Sequence, residues 1–335
     1  MTPTFFGRRL ASTLVTTRPL SSSAAARSRL PTLGEITHSP KNTSAFKAKL
    51  EAFRESQRPK PKPETPAPAA GGIVKAIIYG SEQGQREEAE MEQSYSKVLA
   101  RGKYVHAIEI HQVKPDRQAE YLKLVGEVYP AIAAGENGCH LVGSWKTEIG
   151  DPDTFSRLHF NVYASKRCIE ADDAVHIWEY QGYAGYHSTL HKLSSSPAYE
   201  KLLAELPSLI KSRRTDLMQE FSFWPTSPPR SLGGIFELRS YTLHAGKLLE
   251  WEEHWSAGLR ARRNVMEGVG AWFTQVGALN HVHYLWQFPD LRERQLAREK
   301  SWNEKGWGET VHRTVPLIKK MDSRILVPLP WSPVS

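Results

Sequence analysis

Two sets of polar side chains in this chain have the residue types and spacing to do chemistry. Glu237, Arg239 and Tyr241 recur at every second position, which places them on one face of a β-strand. Glu109 and His111 stand at the corresponding positions of an earlier strand. If this face points into a space between two sheets, a Glu–Arg pair there would bind a polar ligand. The alternative is an ion pair that fixes the register of the strands.

Three histidines form the second candidate group. His281 and His283 share one face of a strand, and His176 lies on the corresponding strand of the first half. Neutral imidazole is a common ligand of metals and haem, so haem is the cofactor hypothesis. Satisfied structural histidines are the alternative, because no HExxH or CxxC spacing accompanies them. The sequence predicts no metal site.

Known catalytic motifs are missing from the sequence. There is no glycine-rich phosphate loop and no nucleophile elbow, so no residue is predicted to be catalytic; enzyme activity is left undecided, with a non-catalytic protein favoured. The ten tryptophans fit core packing, with an aromatic ligand pocket as the alternative.

An internal repeat indicates how these residues are positioned. Val142–Gly150 (VGSWKTEIG) returns as Val269–Gly277 (VGAWFTQVG). The distance between copies then falls from 127 residues (Trp145 to Trp272) to 108 (Trp178 to Trp286). The first copy therefore holds about nineteen extra residues within 154–173. They are either a surface loop, which strand connections tolerate, or an error in the gene model.

Each copy reads as β-α-β-β-α-β, which is the ferredoxin-like order. The predicted units are residues 104–228 and 229–335. The second helix of each copy is expected within 194–214 and 291–321, with the last strands at 216–224 and 324–329. A four-stranded sheet with helices on one face leaves its other face bare. We therefore expect an α+β fold in which two tandem ferredoxin-like repeats pack sheet to sheet as an α+β barrel.

The N-terminal third has a different composition. Residues 1–34 are rich in Arg, Ser, Thr and Ala and contain no acid, which is typical of a mitochondrial transit peptide. Residues 35–72 combine a short helix, Lys41–Gln57, with a proline-rich linker, and residues 73–103 lead into the first repeat. The predicted location is the mitochondrial matrix.

Charge and hydropathy limit the partners. Without the five arginines of residues 1–34, the net charge falls from +8 to +3, which argues against nucleic-acid binding. No apolar run reaches the length of about 20 residues that a membrane span needs. Protein partners, a homo-oligomer and peripheral membrane association stay open. Cys139 and Cys168 make no metal or redox spacing, so both thiols are expected to be free.

Several motifs resemble the NIPSNAP family of mitochondrial proteins. They are LVGSW (141–145), VHIWEY (175–180), EFSFW (220–224), FELRSY (236–241), EWEEHW (250–255), VHYLWQF (282–288) and TVPLIKKMDSRIL (314–326). The resemblance covers roughly 104–333 and implies a fold similar to the dimeric α+β barrel proteins. It also implies matrix import and a role in mitochondrial homeostasis, in some members by recruiting autophagy receptors to damaged mitochondria. No catalytic residue is established for the family, and the segment 154–173 has no counterpart in it.

Two hypotheses of function follow. The first is a non-catalytic interaction protein of the mitochondrion, in which the linker lets the Lys41–Gln57 helix act as a tethered recognition segment. The second is a binder of a small ligand or haem, or an enzyme, that uses the space between the sheets. Its candidate cavity residues are Glu237, Arg239, Tyr241, His281, His283, Glu109, His111 and His176.

Overall fold

The computed structural model describes residues 32–58, 104–150 and 172–335. The strands within this part are β1 (Val105–Val113), β2 (Cys139–Ile149), β3 (Asp172–Tyr180), β4 (Ile210–Glu220), β5 (Ile235–Leu243), β6 (Glu267–Val276), β7 (His281–Phe288) and β8 (Ile318–Pro328). The helices are α1 (Pro40–Ser56), α2 (Gln118–Ala134), α3 (Gly182–Leu193), α4 (Pro197–Leu209), α5 (Leu248–Arg263), α6 (Leu291–Asn303) and α7 (Trp307–Thr314). Residues 31–335 form one compact unit. The predicted transit peptide, most of the linker, the lead-in segment and most of the extra segment lie outside the described residues.

The strands close into one antiparallel barrel in the order β1-β3-β2-β8-β5-β7-β6-β4. Both halves of the chain use the same local order, β4-β1-β3-β2 and β8-β5-β7-β6. The pairs β2–β8 and β4–β6 join the halves. The α+β class is confirmed, but the sheets meet edge to edge around a barrel instead of stacking face to face. Closure pairs the edge strands of both halves, so no edge is left without hydrogen-bond partners.

The barrel interior is filled by apolar side chains. Its cluster includes Ile108, Val142, Trp145, Val175, Ile177, Met218, Phe236, Leu238, Val269, Trp272, Leu285 and Leu326. The repeated Val-Gly-x-Trp motif supplies two of its largest members. A Cβ at Gly143 would collide with the Trp145 ring, and one at Gly270 would collide with the Trp272 ring. Glycine is therefore needed at both positions because an indole occupies the place of a side chain.

The helices cover the outside of the barrel in two separate groups. In the first half, α2 and α4 bury apolar residues against β1, β2 and β3. In the second half, α5 packs Trp251 and Trp255 against β5, β6 and β7. These two indoles lie one helical turn apart, and their rings stack 4.6 Å apart. Each half thus has its own core between helices and sheet, in addition to the shared core inside the barrel.

The last helix of each half is shorter than predicted, and the last strand begins earlier. β4 begins at Ile210 and β8 at Ile318, within segments expected to be helical. Residues 211–214 and 319–321 are exposed at the start of their strands. A strand with few buried residues gives no alternating hydrophobic pattern to read. The helix α3 was also not predicted.

The N-terminal helix α1 is docked on the second half, and its role as a tethered recognition segment stays a prediction. Phe46 is 6 % exposed. Arg54 Nη2 lies 2.7 Å from Glu267 Oε2, and His38 Nδ1 lies 3.0 Å from Asp290 Oδ2. The Arg230 guanidinium also lies over the Phe53 ring, 5.3 Å from its centre. One buried aromatic residue and several polar contacts therefore hold this helix against the barrel.

Candidate functional site

Within the part of the chain that the structure describes, the eight candidate cavity residues lie in three separate places, and only Arg239 and Tyr241 of them line the cavity described below. Alternate residues of a strand face opposite sides. In β1 and β5, Ile108, Phe236 and Leu238 face the barrel interior. Their neighbours therefore face the helices, on the outer side of the barrel wall. This outer group comprises Glu237, Arg239 and Tyr241 in the second half and Glu109, His111 and His176 in the first. His281 and His283 stay on the interior side of β7.

Glu237 is the centre of an ion cluster on the outer face of β5. Its carboxylate is 1 % exposed and accepts hydrogen bonds from Arg239 Nη1 at 2.9 Å and from Ser323 Oγ at 2.8 Å. Arg294 of α6 adds a two-point contact, through Nε at 2.9 Å and Nη2 at 2.6 Å. Arg298 Nη1, one turn further along α6, lies 3.9 Å away. The predicted Glu–Arg pair exists, and the tertiary structure adds two more guanidinium groups to it.

Electrostatics keep Glu237 ionised. Burial alone would raise its pKa, but the Arg294 hydrogen bonds and the charge of Arg239 outweigh it and hold the pKa at about 2. Three guanidinium groups thus share one carboxylate. With three guanidinium groups and one carboxylate, the cluster carries a net positive charge.

Arg262 of α5 adds a fourth cation beside this cluster, and it is 8 % exposed. Its guanidinium carbon lies 3.8 Å from the centre of the Trp307 ring, and Nη1 donates to Met266 Sδ at 3.4 Å. Within the described part of the chain no carboxylate pairs with it. Burial, reinforced by the charges of Arg298 and Arg239, lowers the pKa of Arg262 to about 10. A buried cation held only by a ring face and a sulfur has unused capacity to bind an anion.

A cavity of about 140 Å³ opens beside these side chains, between the outer face of the barrel and α5, α6 and α7. We call it the arginine pocket. Its polar lining comes from Arg239, Tyr241, Arg262, Tyr284 and Arg298. Its aromatic lining comes from Trp251, Trp255, Trp286, Trp302 and Trp307. Arg239 Nε donates to Tyr241 Oη at 2.8 Å, which fixes both groups at the wall of the cavity.

The corresponding face of the first half contains a linear chain of hydrogen bonds. Tyr121 Oη lies 2.8 Å from both His111 Nδ1 and His176 Nε2, and His176 Nδ1 lies 2.9 Å from Ser144 Oγ. Burial lowers the pKa of His111 to about 3 and that of His176 well below its usual value, so both rings are neutral. Glu109 accepts from Tyr129 Oη at 2.9 Å, and burial raises its pKa. Internal partners thus occupy most of this face, and among the described residues His111 Nε2 alone of these ring nitrogens has no hydrogen-bond partner.

His281 and His283 bond to neighbouring strands on the interior side. His281 Nε2 lies 2.8 Å from Thr242 Oγ1, and its Nδ1 lies 2.8 Å from the Ala278 carbonyl oxygen. His283 Nδ1 lies 2.8 Å from Ser240 Oγ, and burial lowers its pKa to about 3. Neither ring lines the arginine pocket. In the described residues no group of three or more His, Cys, Asp or Glu side chains is arranged to hold a metal ion.

The sequence analysis did not identify Arg262 and Arg298 of the arginine pocket, nor Arg294 beside it on Glu237. All three come from helices and not from the strand that carries Glu237. One signal for them exists, because Arg294 and Arg298 are four residues apart and so share a helix face. Nothing in the sequence shows that this face meets Glu237. No helix among the described residues has the length and apolar character that crossing a membrane requires.

Comparisons with known proteins place this site in a family context. The NIPSNAP family model matches residues 236–333, which include the whole lining of the arginine pocket. NipSnap homolog 1 of Danio rerio is 39% identical over 232 residues, which cover 69% of this chain and 76% of that protein. NipSnap homolog 2 of Homo sapiens is 36% identical over 245 residues, covering 72% and 79%. A solved Fusobacterium nucleatum structure, named as a candidate monooxygenase, aligns with a TM-score of 0.50 at 11% identity. It covers 68% of this chain and 93% of that one, and at this identity the likeness shows the fold alone.

Proposed function

The chain belongs to the NIPSNAP family, and from this premise we propose that it is a ligand-binding protein whose arginine pocket holds a small organic anion. The observation that carries the proposal is Arg262, a buried cation with no carboxylate partner in the described residues. It lines the same cavity as Arg239 and Arg298, and Glu237 is their shared counter-charge. An anion in the cavity would neutralise this excess positive charge.

Size and lining narrow the ligand further. A cavity of about 140 Å³ is comparable to the engineered cavity of about 150 Å³ that holds benzene. Indole rings and two tyrosines form much of its wall, so the buried part of the ligand is apolar or aromatic. A carboxylate would receive two parallel hydrogen bonds from a guanidinium group. An aromatic carboxylate of the size of benzoate fits these requirements.

The experiment is a titration of the full chain with benzoate, followed by intrinsic tryptophan fluorescence. Trp251, Trp255 and Trp307 line the cavity, so occupancy should change their emission. Arg262→Gln should weaken binding by about 10- to 100-fold, the effect of losing one hydrogen bond to a charged group, about 1.5–3 kcal/mol. Arg292→Gln is the matched control, because Arg292 lies on α6 but bonds to Gln295 on the surface. Equal affinity of wild type and Arg262→Gln would refute the site.

A second function, in protein recruitment within the mitochondrion, is supported by the family and by the composition of residues 1–34. In this proposal the N-terminal segment directs import into the matrix, and the folded part recruits protein partners for mitochondrial homeostasis. Fusing residues 1–34 to a fluorescent protein should give mitochondrial fluorescence. Replacing Arg8, Arg9, Arg18, Arg27 and Arg29 by Glu should abolish it. Fluorescence that stays mitochondrial after these replacements would contradict the targeting role.

Two further parts of the picture are also proposals. Haem, with His281 and His283 as its nearest candidates, is a proposal from the sequence alone, since both rings already bond to protein groups. Its test is the appearance of a Soret band when the purified protein is titrated with haem. The identical strand order of the two halves supports an origin as tandem ferredoxin-like repeats.

A further inference from the structure

The mouth of the arginine pocket is apolar, although its base is cationic. Three of the lining side chains are large, apolar and exposed: Trp302 by 58%, Val315 by 44% and Met321 by 43%. The lining residues Tyr241 and Arg262 are each 8% exposed. Indoles share this buried base, Arg298 is partly exposed at 32%, and the most exposed part of the lining is the apolar rim of Trp302, Val315 and Met321.

The rim is assembled from three different elements. Trp302 ends α6, Val315 follows α7, and Met321 lies in β8. Exposed apolar residues scattered singly are ordinary on a protein surface, but three that surround one opening are not. The rim is continuous with a cavity whose base attracts anions. A ligand with an anionic group in the base and an apolar part on the rim would therefore cover both.

We propose that the ligand is an amphiphilic organic anion, with its acidic group at Arg239, Arg262 and Arg298 and an alkyl chain that passes over Trp302, Val315 and Met321. A long-chain carboxylate is the chemical class. The inference rests on the proposed function, since it needs the acidic group to bind at the arginine pocket. It adds that the ligand extends past the buried cavity and covers the rim.

The size of the cavity supports this extension. Drug-sized ligands occupy pockets of about 300–1,000 Å³, whereas this cavity has about 140 Å³. Its enclosed part has room for an acidic group and a few carbon atoms. Further methylene groups must lie on the rim, where an exposed indole and a thioether offer apolar surface.

The test is a chain-length series measured by calorimetry on the full chain. The probes are hexanoate, octanoate and decanoate below their aggregation concentrations, with benzoate and decanol as references. Burial of one methylene contributes about 0.8 kcal/mol, roughly fourfold in affinity, so half-covered methylenes should give about twofold each. Decanoate, with four more methylenes, should then bind roughly 15-fold more tightly than hexanoate.

Two variants test whether the alkyl chain of the ligand lies on the rim. The double variant Val315→Ser with Met321→Ser should flatten the series while leaving hexanoate and benzoate affinity within about twofold, since both side chains stand at the exposed opening and neither belongs to the cationic or aromatic lining that holds the acid. Leu279→Ser is the matched control, because Leu279 is 59% exposed in the β6–β7 turn and does not line the cavity.

Each other outcome overturns one specific idea. A flat series in wild type, together with normal benzoate binding, overturns the amphiphile and leaves the anion site intact. If affinity rises with chain length equally in the double variant, the alkyl chain does not lie on the rim, and the amphiphile proposal is also overturned. Decanol binding as tightly as decanoate would mean that apolar surface alone is recognised. Failure of every acid, including benzoate, overturns the proposed function itself.

Discussion

Glu237 and Glu109 stand at equivalent positions of the two halves, but the folded structure shifts their pKa values in opposite directions. Glu237 receives guanidinium groups from β5 and α6, and its pKa is held at about 2. Glu109 sits at the corresponding position of β1 and receives a tyrosine hydroxyl, and burial raises its pKa. The strand places both carboxyl groups on the outer face of the barrel. The helix packed above decides whether the face becomes an ion cluster or a neutral hydrogen-bond chain.

Glu237→Gln should destabilise the protein at pH 7 by about 3 kcal/mol, since removing one partner leaves buried charges uncompensated. Folding lowers the pKa of Glu237 from 4.5 to about 2, so its carboxylate contributes fully to the free energy of unfolding above pH 4.5. That contribution is lost as the pH falls from 4.5 towards 2. The stability difference between wild type and variant should therefore shrink over this range. Urea unfolding at pH 7, 4 and 3 measures it.

Glu253→Gln serves as the control for this change, because Glu253 is exposed on α5. It should alter the free energy of unfolding by less than about 0.5 kcal/mol at every pH. A Glu237→Gln variant as stable as wild type at pH 7 would contradict the role of the carboxylate in the cluster.

The buried histidines predict a loss of stability in mild acid. The folded pKa of His111 and of His283 is about 3, and that of His176 is also well below its usual 6.5. All three stay neutral in the folded state while the unfolded chain takes up protons below pH 6.5. Stability is therefore complete above pH 6.5 and falls as the pH drops towards 3. Between pH 7 and 5.5 we expect a loss of about 4 kcal/mol for the three together.

The measurement is the free energy of unfolding in urea at pH 7 and 5.5. His283→Asn should reduce the pH-dependent loss by about one third, while its amide can still bond to Ser240. The exposed His191→Gln is the control and should keep the wild-type loss. Equal stability of the wild-type protein at both pH values would be inconsistent with neutral buried rings.

Among the helices and strands, close contacts between two elements are made where one of them carries glycine. The contact between α5 and α7 depends on Gly258, where a Cβ would collide with Thr310 Oγ1, Cβ and Cγ2. Thr310 is 5% exposed and its hydroxyl donates to the Gly306 carbonyl oxygen, so it has no room to move aside. Since Trp307 of α7 stacks on Arg262 of α5, the same approach shapes the arginine pocket.

Gly258→Ala should therefore destabilise the protein by about 1–3 kcal/mol, the usual cost of overpacking. In a helix without this contact, Gly→Ala would instead stabilise by up to about 1 kcal/mol. Gly308→Ala in α7 is the matched control, because a Cβ there meets nothing within 4 Å. Thermal or urea unfolding of both variants shows whether each substitution raises or lowers the free energy of unfolding. Stabilisation by both substitutions would show that the helices are free to separate.

At the scale of the whole molecule, barrel closure makes the halves interdependent. Each half would expose two unpaired strand edges if separated, because β2–β8 and β4–β6 cross between them. Each would also expose its share of the barrel core, which draws on both halves: Trp145 comes from one and Trp272 from the other. The Pro228-Pro229 linker thus joins two parts of one barrel.

Unfolding should accordingly be a single cooperative transition. Tryptophan fluorescence, to which the second half contributes most, and far-UV circular dichroism should give the same urea midpoint. Proteolytic cleavage at the Pro228-Pro229 linker should yield no separately folded half. Two resolved transitions, or a stable folded fragment of 104–228, would refute this interdependence.

The sequence by itself determined the internal repeat, most strand positions and the face-sharing of Glu237, Arg239 and Tyr241, because these follow from local spacing along one chain segment. It could not determine that the sheets close into one barrel, which turns those three residues towards the helices and fills the interior with Trp145 and Trp272. Nor could it bring Arg262, Arg294 and Arg298 to Glu237. Arg294 and Arg298, 57 and 61 positions beyond Glu237, contact it only because α6 packs on the same outer face, and α5 places Arg262 beside them. Periodicity assigns a side chain to a face, and only tertiary packing decides what that face meets.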